Sequence, residues 1–314
     1  MDALTPSLKT PPSAPGRPPP SLSAYAIPPP LRREREARPP ALASLPRLYV
    51  RLAGAVVRAQ MQYRTSFVLY ATGVFLTNGL EFVALLVLFG QAPSLGGWSA
   101  PEVAVLWGMS AMSFAIAEAV GGGFEKLHVS VRAGEFDRML ARPLPVFFQV
   151  LASHAEAHRV GRLAQGMAAI AFAASVHDLG WGVADLAYLV VAVVTGATIF
   201  FATFVLCGAW AFVSVDGSEV MNTFTYGGTT LASYPLDLFA GPVRRAATFV
   251  YPLAFVNYVP ALALLRRADA SSILPSGTNP ADVTWLAPVV AVAFLAVALG
   301  AWRIGVRRYQ GTGS

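Results

Sequence analysis

Long apolar blocks separated by short polar segments dominate the chain after residue 65. A helix that crosses a membrane needs about 20 consecutive apolar residues, whereas the core of a soluble domain is built from shorter, periodic runs. The pattern therefore predicts an all-α, polytopic membrane protein. The candidate blocks are 66–89, 103–120, 160–176, 183–213, 220–240, 247–265 and 285–303.

Arginines at the two ends of this series indicate how many blocks cross. The positive-inside rule places both groups in the cytoplasm, which requires an even number of crossings and hence six. The loop 91–102 has no basic residue and is expected outside, whereas the loop 124–142 is basic and is expected inside. The flanking arginines are Arg47, Arg51, Arg58 and Arg64 before the first block, and Arg303, Arg307 and Arg308 at the C-terminal end of the last block and just after it.

Block 247–265 is the weakest candidate for a full crossing, because it contains Pro252, Asn257 and Pro260. Proline and asparagine at membrane depth are tolerated where the backbone is buried in protein. We therefore expect a re-entrant hairpin on the outer side, before the last span. This assignment leaves the flanking Arg244-Arg245 and Arg266-Arg267 pairs outside, against the positive-inside rule.

The N-terminal segment differs from the rest. Residues 1–44 are rich in proline and cannot bury enough apolar area to fold, so they are expected to form a disordered tail. In 45–64 the arginines Arg47, Arg51 and Arg58 fall within about 40° on a helical projection. Tyr49, Leu52, Val56 and Tyr63 take the opposite side, which predicts an amphipathic helix in the membrane interface. The membrane domain is therefore 45–314.

The amino-acid composition limits which partners and which kinds of site the chain can have. The chain is 55% hydrophobic and 13% charged, against roughly 25% charged in soluble domains. Its net charge of +6 comes from arginines that flank apolar blocks, so nucleic acid is not an expected partner. Cys207 is the only cysteine, which excludes an intramolecular disulfide and a cysteine-based metal site.

Two further motifs carry little chemistry. His154, Glu156 and His158 form H-x-E-x-H, in which the glutamate points away from the histidine face, so a packed pair is favoured over a metal site. The glycines 121–123 do not lead into a phosphate-binding helix and are expected to end or bend the second span.

Both lysines lack the context of a P-loop, since Lys9 follows Leu8 and Lys126 follows Glu125. The chain is therefore expected not to hydrolyse ATP, not to be an enzyme and to hold no cofactor of its own.

Polar residues inside the blocks mark a candidate translocation path. A carboxylate in hydrocarbon is costly unless it is paired, protonated or facing a cavity, so Glu81 and Glu118 are conspicuous. They are interpreted either as structural hydrogen-bonding groups between spans or as a substrate contact or proton relay. The fifth block carries Asn222, Thr225 and Thr229, and is expected to line the path or a dimer interface.

The loop after the second block can form a short helix between Gly134 and Pro143. Phe136, Met139 and Leu140 share one side of it, and Glu135, Asp137 and Arg138 fill the remainder. Such a helix is suited to docking in a groove of a partner, although a solvated loop is the alternative. We expect a partner to cover the three apolar side chains.

This loop resembles the signature G-x-(L/F)-D-x-x-L-x-R-P-L of one family of type-2 ABC transporter permeases. Residues 234–261 and the C-terminal 308–314 resemble two further segments of that family, so the likeness extends from about residue 47 to the end. It implies a coupling helix that contacts the ATPase. The matching or adjacent positions are Gly134, Glu135, Phe136, Asp137, Arg138, Leu140, Arg142 and Pro143.

The resemblance implies the permease subunit of an ATP-driven exporter for an amphipathic, lipid-like or drug-like solute. ATP would be bound by a separate ATPase subunit present in two copies, and a second permease, identical or homologous, would complete the complex. The chain would be integral to the cell membrane, in contact with lipid, with both termini cytoplasmic. Two alternatives remain at this stage: a proton-coupled secondary transporter that uses Glu81 and Glu118, and a non-transporting scaffold.

Overall fold

The structure is a computed structural model of the chain. It describes residues 49, 51–52, 54–55, 58, 62, 64–92, 94–154, 160–214, 218–267, 273, 280–283 and 285–309. The expected tail 1–44 and most of the expected interface helix 45–64 lie outside these residues. Of that helix, Arg51 and Arg58 are exposed, while Tyr49 and Leu52 are half-buried.

The part of the chain that the structure describes is helical, as the sequence predicted. In chain order the helices are α1 Arg64–Gln91, α2 Ala100–Glu125, α3 Leu127–Arg132, α4 Glu135–Leu140, α5 Val146–Ser153, α6 Val160–Val176, α7 Val183–Trp210, α8 Ser218–Asn222, α9 Gly228–Ala232, α10 Gly241–Phe249, α11 Tyr258–Leu264, α12 Pro280–Val283 and α13 Leu286–Arg308. A π-helical turn, Thr223–Gly227, joins α8 to α9, and 3-10 turns occupy Leu236–Leu238 and Leu253–Phe255.

Four of the described helices are long and apolar enough to cross a membrane: α1, α2 continued by α3, α7 and α13. The pair formed by α10 and Leu253–Leu264 adds a fifth candidate, but it is bent by 72°. Helix α6 has 17 residues, and 218–232 is interrupted by the π-helical turn. Both are shorter than the roughly 20 residues of a full span.

Helix α2 is the centre of the bundle and packs between α6 and α7. Small residues permit this close packing, since a Cβ atom on Gly108 would lie 2.7 Å from the Gly166 carbonyl oxygen of α6. Helix α13 packs on α7 and also contacts the end of α2 through Trp302 and Phe124. Helix α1 packs by one face on α6 and leaves most of its apolar side chains exposed.

Neighbouring contacts define the direction of each helix. Helices α1 and α6 are parallel, α6 and α2 are antiparallel, and α2, α7 and α13 are parallel. The start of α1 and the end of α13 therefore lie at the same end of the bundle. Two contacts establish each direction: Phe75–Gln165 and Phe82–Phe172 join α1 to α6, and Gly108–Ile170 and Phe114–Arg162 join α2 to α6. Ser113–Val193 and Phe124–Phe201 join α2 to α7, and Tyr188–Trp285 and Ala209–Gly305 join α7 to α13.

The bent pair forms a hairpin whose two ends meet the same residue, Trp98, at the opposite end of the bundle. The Trp98 indole N–H donates to the Asp237 carboxylate over 3.1 Å, and the Arg267 guanidinium carbon lies 4.5 Å from the Trp98 ring centroid. At the tip, Tyr251 stacks on Phe294 of α13 with ring centroids 6.2 Å apart. Residues 237–267 thus leave and return at one end of the bundle.

The three consecutive glycines do not end the second span, which was one of the two expectations for them. Helix α2 continues through them to Glu125. Their role is close packing, because a Cβ atom on Gly123 would overlap the Val150 carbonyl oxygen of α5. A side chain at that position would push α5 away from α2.

Candidate functional site

A cleft of about 720 Å³ lies between α1 and the segment formed by the π-helical turn and α9. It runs along α1 from Leu69 to Ala84, and Trp107 of α2 forms part of its wall. Its other lining residues with polar side chains are Tyr70, Thr77, Asn78 and Glu81 from α1, Arg162 from α6, and Tyr226, Thr229, Thr230, Ser233 and Tyr234.

The structure brings together part of the predicted translocation path. Glu81 is exposed on α1, and both Glu81 and Thr229 line the cleft. Thr225 is fully buried and donates to the Met221 carbonyl over 3.0 Å, while Asn222 is exposed. Neither Asn222 nor Thr225 belongs to the cleft lining. The role of these residues in transport stays a prediction.

Glu118 lies behind the cleft, only 1% exposed. The Tyr226 hydroxyl donates to its carboxylate over 3.4 Å, and Tyr226 itself lines the cleft. This hydrogen bond joins α2 to the π-helical turn, as the structural interpretation of Glu118 requires. It also places the carboxylate one side chain away from the cleft.

The hydroxyl hydrogens along the cleft are directed into the helix backbones. Thr77 donates to the Gly73 carbonyl over 2.9 Å, and Thr229, Thr230 and Ser233 donate to carbonyls four residues earlier over 3.0, 3.0 and 2.9 Å. The Asn78 amide group likewise donates to the Val74 carbonyl over 2.8 Å. A hydroxyl has one donor hydrogen and two acceptor lone pairs, so the four hydroxyls can offer only acceptors to the cleft, whereas the Asn78 amide keeps a second N–H.

Arg162 is the functional candidate that sequence reasoning missed. Its guanidinium carbon lies 4.5 Å from the centroid of Phe114, near the middle of α2. An arginine at that depth is costly, and the face of an aromatic ring partly compensates its charge. The available signal was an arginine two residues inside the third apolar block.

The predicted coupling loop forms α3, α4 and the start of α5. Gly134 has φ +67°, a left-handed conformation that favours glycine, and it precedes the first residue of α4. The Ser130 hydroxyl donates to Glu135 over 3.0 Å. The Gln149 side chain donates to the Met139 and Leu144 carbonyls over 2.8 and 2.9 Å. These bonds hold α4 against α3 and α5.

The expectation that a partner covers Phe136 is wrong, because the chain itself buries this side chain completely. The Phe136 ring centroid lies 4.9 Å from those of Phe212, just beyond α7, and Tyr309, just beyond α13. Phe212 in turn contacts Trp302, which contacts Phe124. A helical projection identifies the apolar side of a helix but not the residues that cover it. Here Phe136 is covered by an aromatic cluster from the ends of three long helices.

Other residues of the loop form the surface at this end of the bundle. Glu135, Arg138, Leu140, Arg142 and Pro143 are exposed. Gly134, Asp137 and Met139 are half-buried. Arg138 and Glu135 approach within 3.5 Å. This surface is mixed in character, with charged side chains beside the apolar Leu140 and Pro143.

No group of three or more metal-ligating side chains occurs among the described residues. His154 contacts the Ser153 hydroxyl through its Nδ1 atom at 2.9 Å. Glu156 and His158, the other members of H-x-E-x-H, lie outside the described residues.

Comparison with known proteins identifies the family. No curated protein and no solved structure matches the chain. The family profile described as ABC-2 family transporter protein matches residues 75–313. This range contains α2, the coupling loop, the cleft wall around Tyr226 and α13. The predicted resemblance to type-2 ABC permeases is confirmed: the chain is an integral membrane transporter subunit that belongs to the ABC-2 family.

Proposed function

We propose that this chain is the permease subunit of an ATP-driven exporter that moves an amphipathic, lipid-like or drug-like solute across the cell membrane. The family match over residues 75–313 carries the proposal. Permeases of this family work with an ATPase subunit. We further propose that two ATPase copies and a second permease, identical or homologous, complete the transporter.

The proposed topology has six spans: α1, α2, α6, α7, the segment 218–232 and α13. The helix directions support it, because the start of α1 and the end of α13 share one end of the bundle. Arg64, Arg307 and Arg308 lie at that end, which is accordingly cytoplasmic. The hairpin 237–267 then enters from the outer side, and both chain termini are cytoplasmic.

The ATPase contacts the cytoplasmic surface formed by Glu135, Arg138, Leu140, Arg142 and Pro143, in this proposal. Phe136 has a different role from that expected of an exposed docking residue. It anchors α4 to Phe212 and Tyr309, so a movement of α4 is transmitted through these ring contacts to the ends of α7 and α13.

The cleft beside α1 is the proposed entry to the translocation path. It joins Glu81 and Thr229, and Tyr226 connects it to Glu118. Polar lining within the membrane is costly, and a cleft that takes up the polar part of a solute accounts for it.

A reconstituted transport assay tests the proposal. The chain is co-purified with its ATPase partner and placed in liposomes with a fluorescent amphiphile. We expect movement of the amphiphile that requires ATP and is lost when the ATPase carries a substituted Walker lysine. Transport that does not require ATP but is abolished by a protonophore would instead support the proton-coupled alternative.

A further inference from the structure

We propose that the cleft beside α1 binds an amphiphile with a protonated amine head group, an inference that rests on the proposed function and specifies its substrate class. A binding site is complementary to its ligand in hydrogen-bonding capacity as well as in charge. Both properties of this cleft favour a cation that carries N–H donors.

Hydrogen-bonding capacity is the first argument. The hydroxyl hydrogens of Thr77, Thr229, Thr230 and Ser233 already donate to backbone carbonyls, and so does one of the two Asn78 amide hydrogens. What the four hydroxyls present to the cleft is oxygen lone pairs, and the donors left in its lining include one Asn78 N–H and the Arg162 guanidinium. An ammonium group has up to three donors and no acceptor, so it matches such a wall, whereas a phosphate or carboxylate brings only further acceptors.

Charge is the second argument. Among the described residues that line the cleft, Glu81 and Arg162 carry the full charges. The Arg162 guanidinium faces the ring of Phe114, and the buried Glu118 lies one turn further along the same face of α2. The exposed Glu81 carboxylate is therefore the charge most available to a ligand. The aromatic rings of Tyr70, Trp107 and Tyr226 add surfaces that attract cations.

The surroundings of the cleft account for the apolar part of the ligand. Leu69 lines the cleft and is 69% exposed, and Leu80 beside Glu81 is 67% exposed. These side chains face the hydrocarbon region in the proposed topology. A hydrocarbon tail can remain in contact with them while the amine enters the cleft.

Binding of three amphiphiles with one tail tests the inference: oleylamine, oleyl alcohol and oleate. Each is titrated against the purified full-length chain in nanodiscs, with empty nanodiscs subtracted for partition into lipid. We expect saturable binding of oleylamine at least about tenfold tighter than that of the other two, because a charged hydrogen bond is at stake. Equal binding of oleate and oleylamine would overturn the inference.

Substitutions locate the site. Glu81→Gln should weaken oleylamine binding by about tenfold, and Thr230→Val, which keeps the side-chain shape but removes the oxygen, by roughly two- to fivefold. Glu219→Gln makes the same change as Glu81→Gln at an exposed residue outside the cleft lining and should leave binding unchanged. Unchanged binding in both cleft variants would contradict the assignment.

The binding assay contains no ATPase and no ATP, so its outcome is separate from that of the transport assay. Amine-selective binding without ATP-dependent transport would retain the ligand class and reject the exporter function. ATP-dependent transport of all three amphiphiles, with equal binding, would retain the exporter function and reject the ligand class.

Discussion

Arg267 and Glu102 form an ion pair with a nitrogen to oxygen distance of 3.0 Å, and each side chain is only 18% exposed. Arg267 also donates to the Gly97 carbonyl over 3.0 Å. This pair lies at the end of the bundle proposed to be outside. An arginine paired with a carboxylate adds no net positive charge to its loop, so Arg267 weighs little against the proposed orientation.

Loss of this pair should destabilise the chain. Glu102→Gln leaves a largely buried guanidinium without its counter-charge, at a cost of about 1–3 kcal/mol. The measurement is thermal unfolding of the purified protein in detergent. Asp185→Asn is the matched control, because its partner Arg266 lies 3.6 Å away and is 63% exposed, which predicts a smaller effect. Equal shifts for the two variants would contradict the assigned burial.

Phe136 and Leu140 should separate stability from partner binding. Phe136→Ala removes a fully buried ring from the contacts with Phe212 and Tyr309 and should cost about 3 kcal/mol of stability. Leu140→Ala removes a side chain that is 44% exposed, so the fold should persist while less ATPase co-purifies. Thermal unfolding and co-purification are measured on both variants. Wild-type stability in Phe136→Ala would disprove its anchoring role.

Gly123→Ala should destabilise the packing of α2 on α5, because the new Cβ overlaps the Val150 carbonyl oxygen. The expected loss is about 1–3 kcal/mol, as for other overpacked interiors. Gly90→Ala is the control, since nothing lies within 4 Å of its added Cβ atom. That variant should be neutral or slightly stabilised, because alanine is the better helix former. The readout is the unfolding temperature of each variant.

The proposed topology predicts which positions a membrane-impermeant thiol reagent labels in intact cells. Ser94→Cys and Ala240→Cys should react, whereas Ala141→Cys should react only after the cells are opened. All three positions are exposed, and the native Cys207 is buried, so background labelling should be low. Labelling of Ala141→Cys in intact cells would refute the orientation, and absence of labelling at Ala240→Cys would refute the placement of the hairpin on the outer side.

The sequence was sufficient to predict those elements for which a single property, hydrophobic length or charge, dominates. The apolar blocks around α1, α2, α7 and α13 are long enough to identify these helices, and the prolines in 247–265 predicted that this block differs from a simple span. The polar fifth block indicated the cleft wall at Thr229, and an uncompensated carboxylate indicated Glu81. The length of an apolar block and the cost of a charge in hydrocarbon can be read from a short stretch of sequence, so they can be recognised without a structure.

Features that depend on distant contacts could not be predicted. Phe136 lies on an apolar helix side, but its cover comes from Phe212 and Tyr309, far along the chain. The glycines 121–123 have the composition of a helix end, and only the approach of α5 shows that they are packing positions. Arg162 resembled a flanking charge until its contact with Phe114 placed it near the middle of α2.

Trp98 has a consequence for the synthesis of the protein. Its indole is fully buried, yet it is covered by Asp237, Tyr258 and Arg267, the first of which lies 139 residues further along the chain. The first two helices leave the ribosome well before these covering residues are synthesised. The Trp98 indole of a nascent chain is therefore exposed until the hairpin 237–267 has been made and has packed against it. Arrested or truncated chains are thereby distinguishable from finished ones, because only the finished chain hides Trp98.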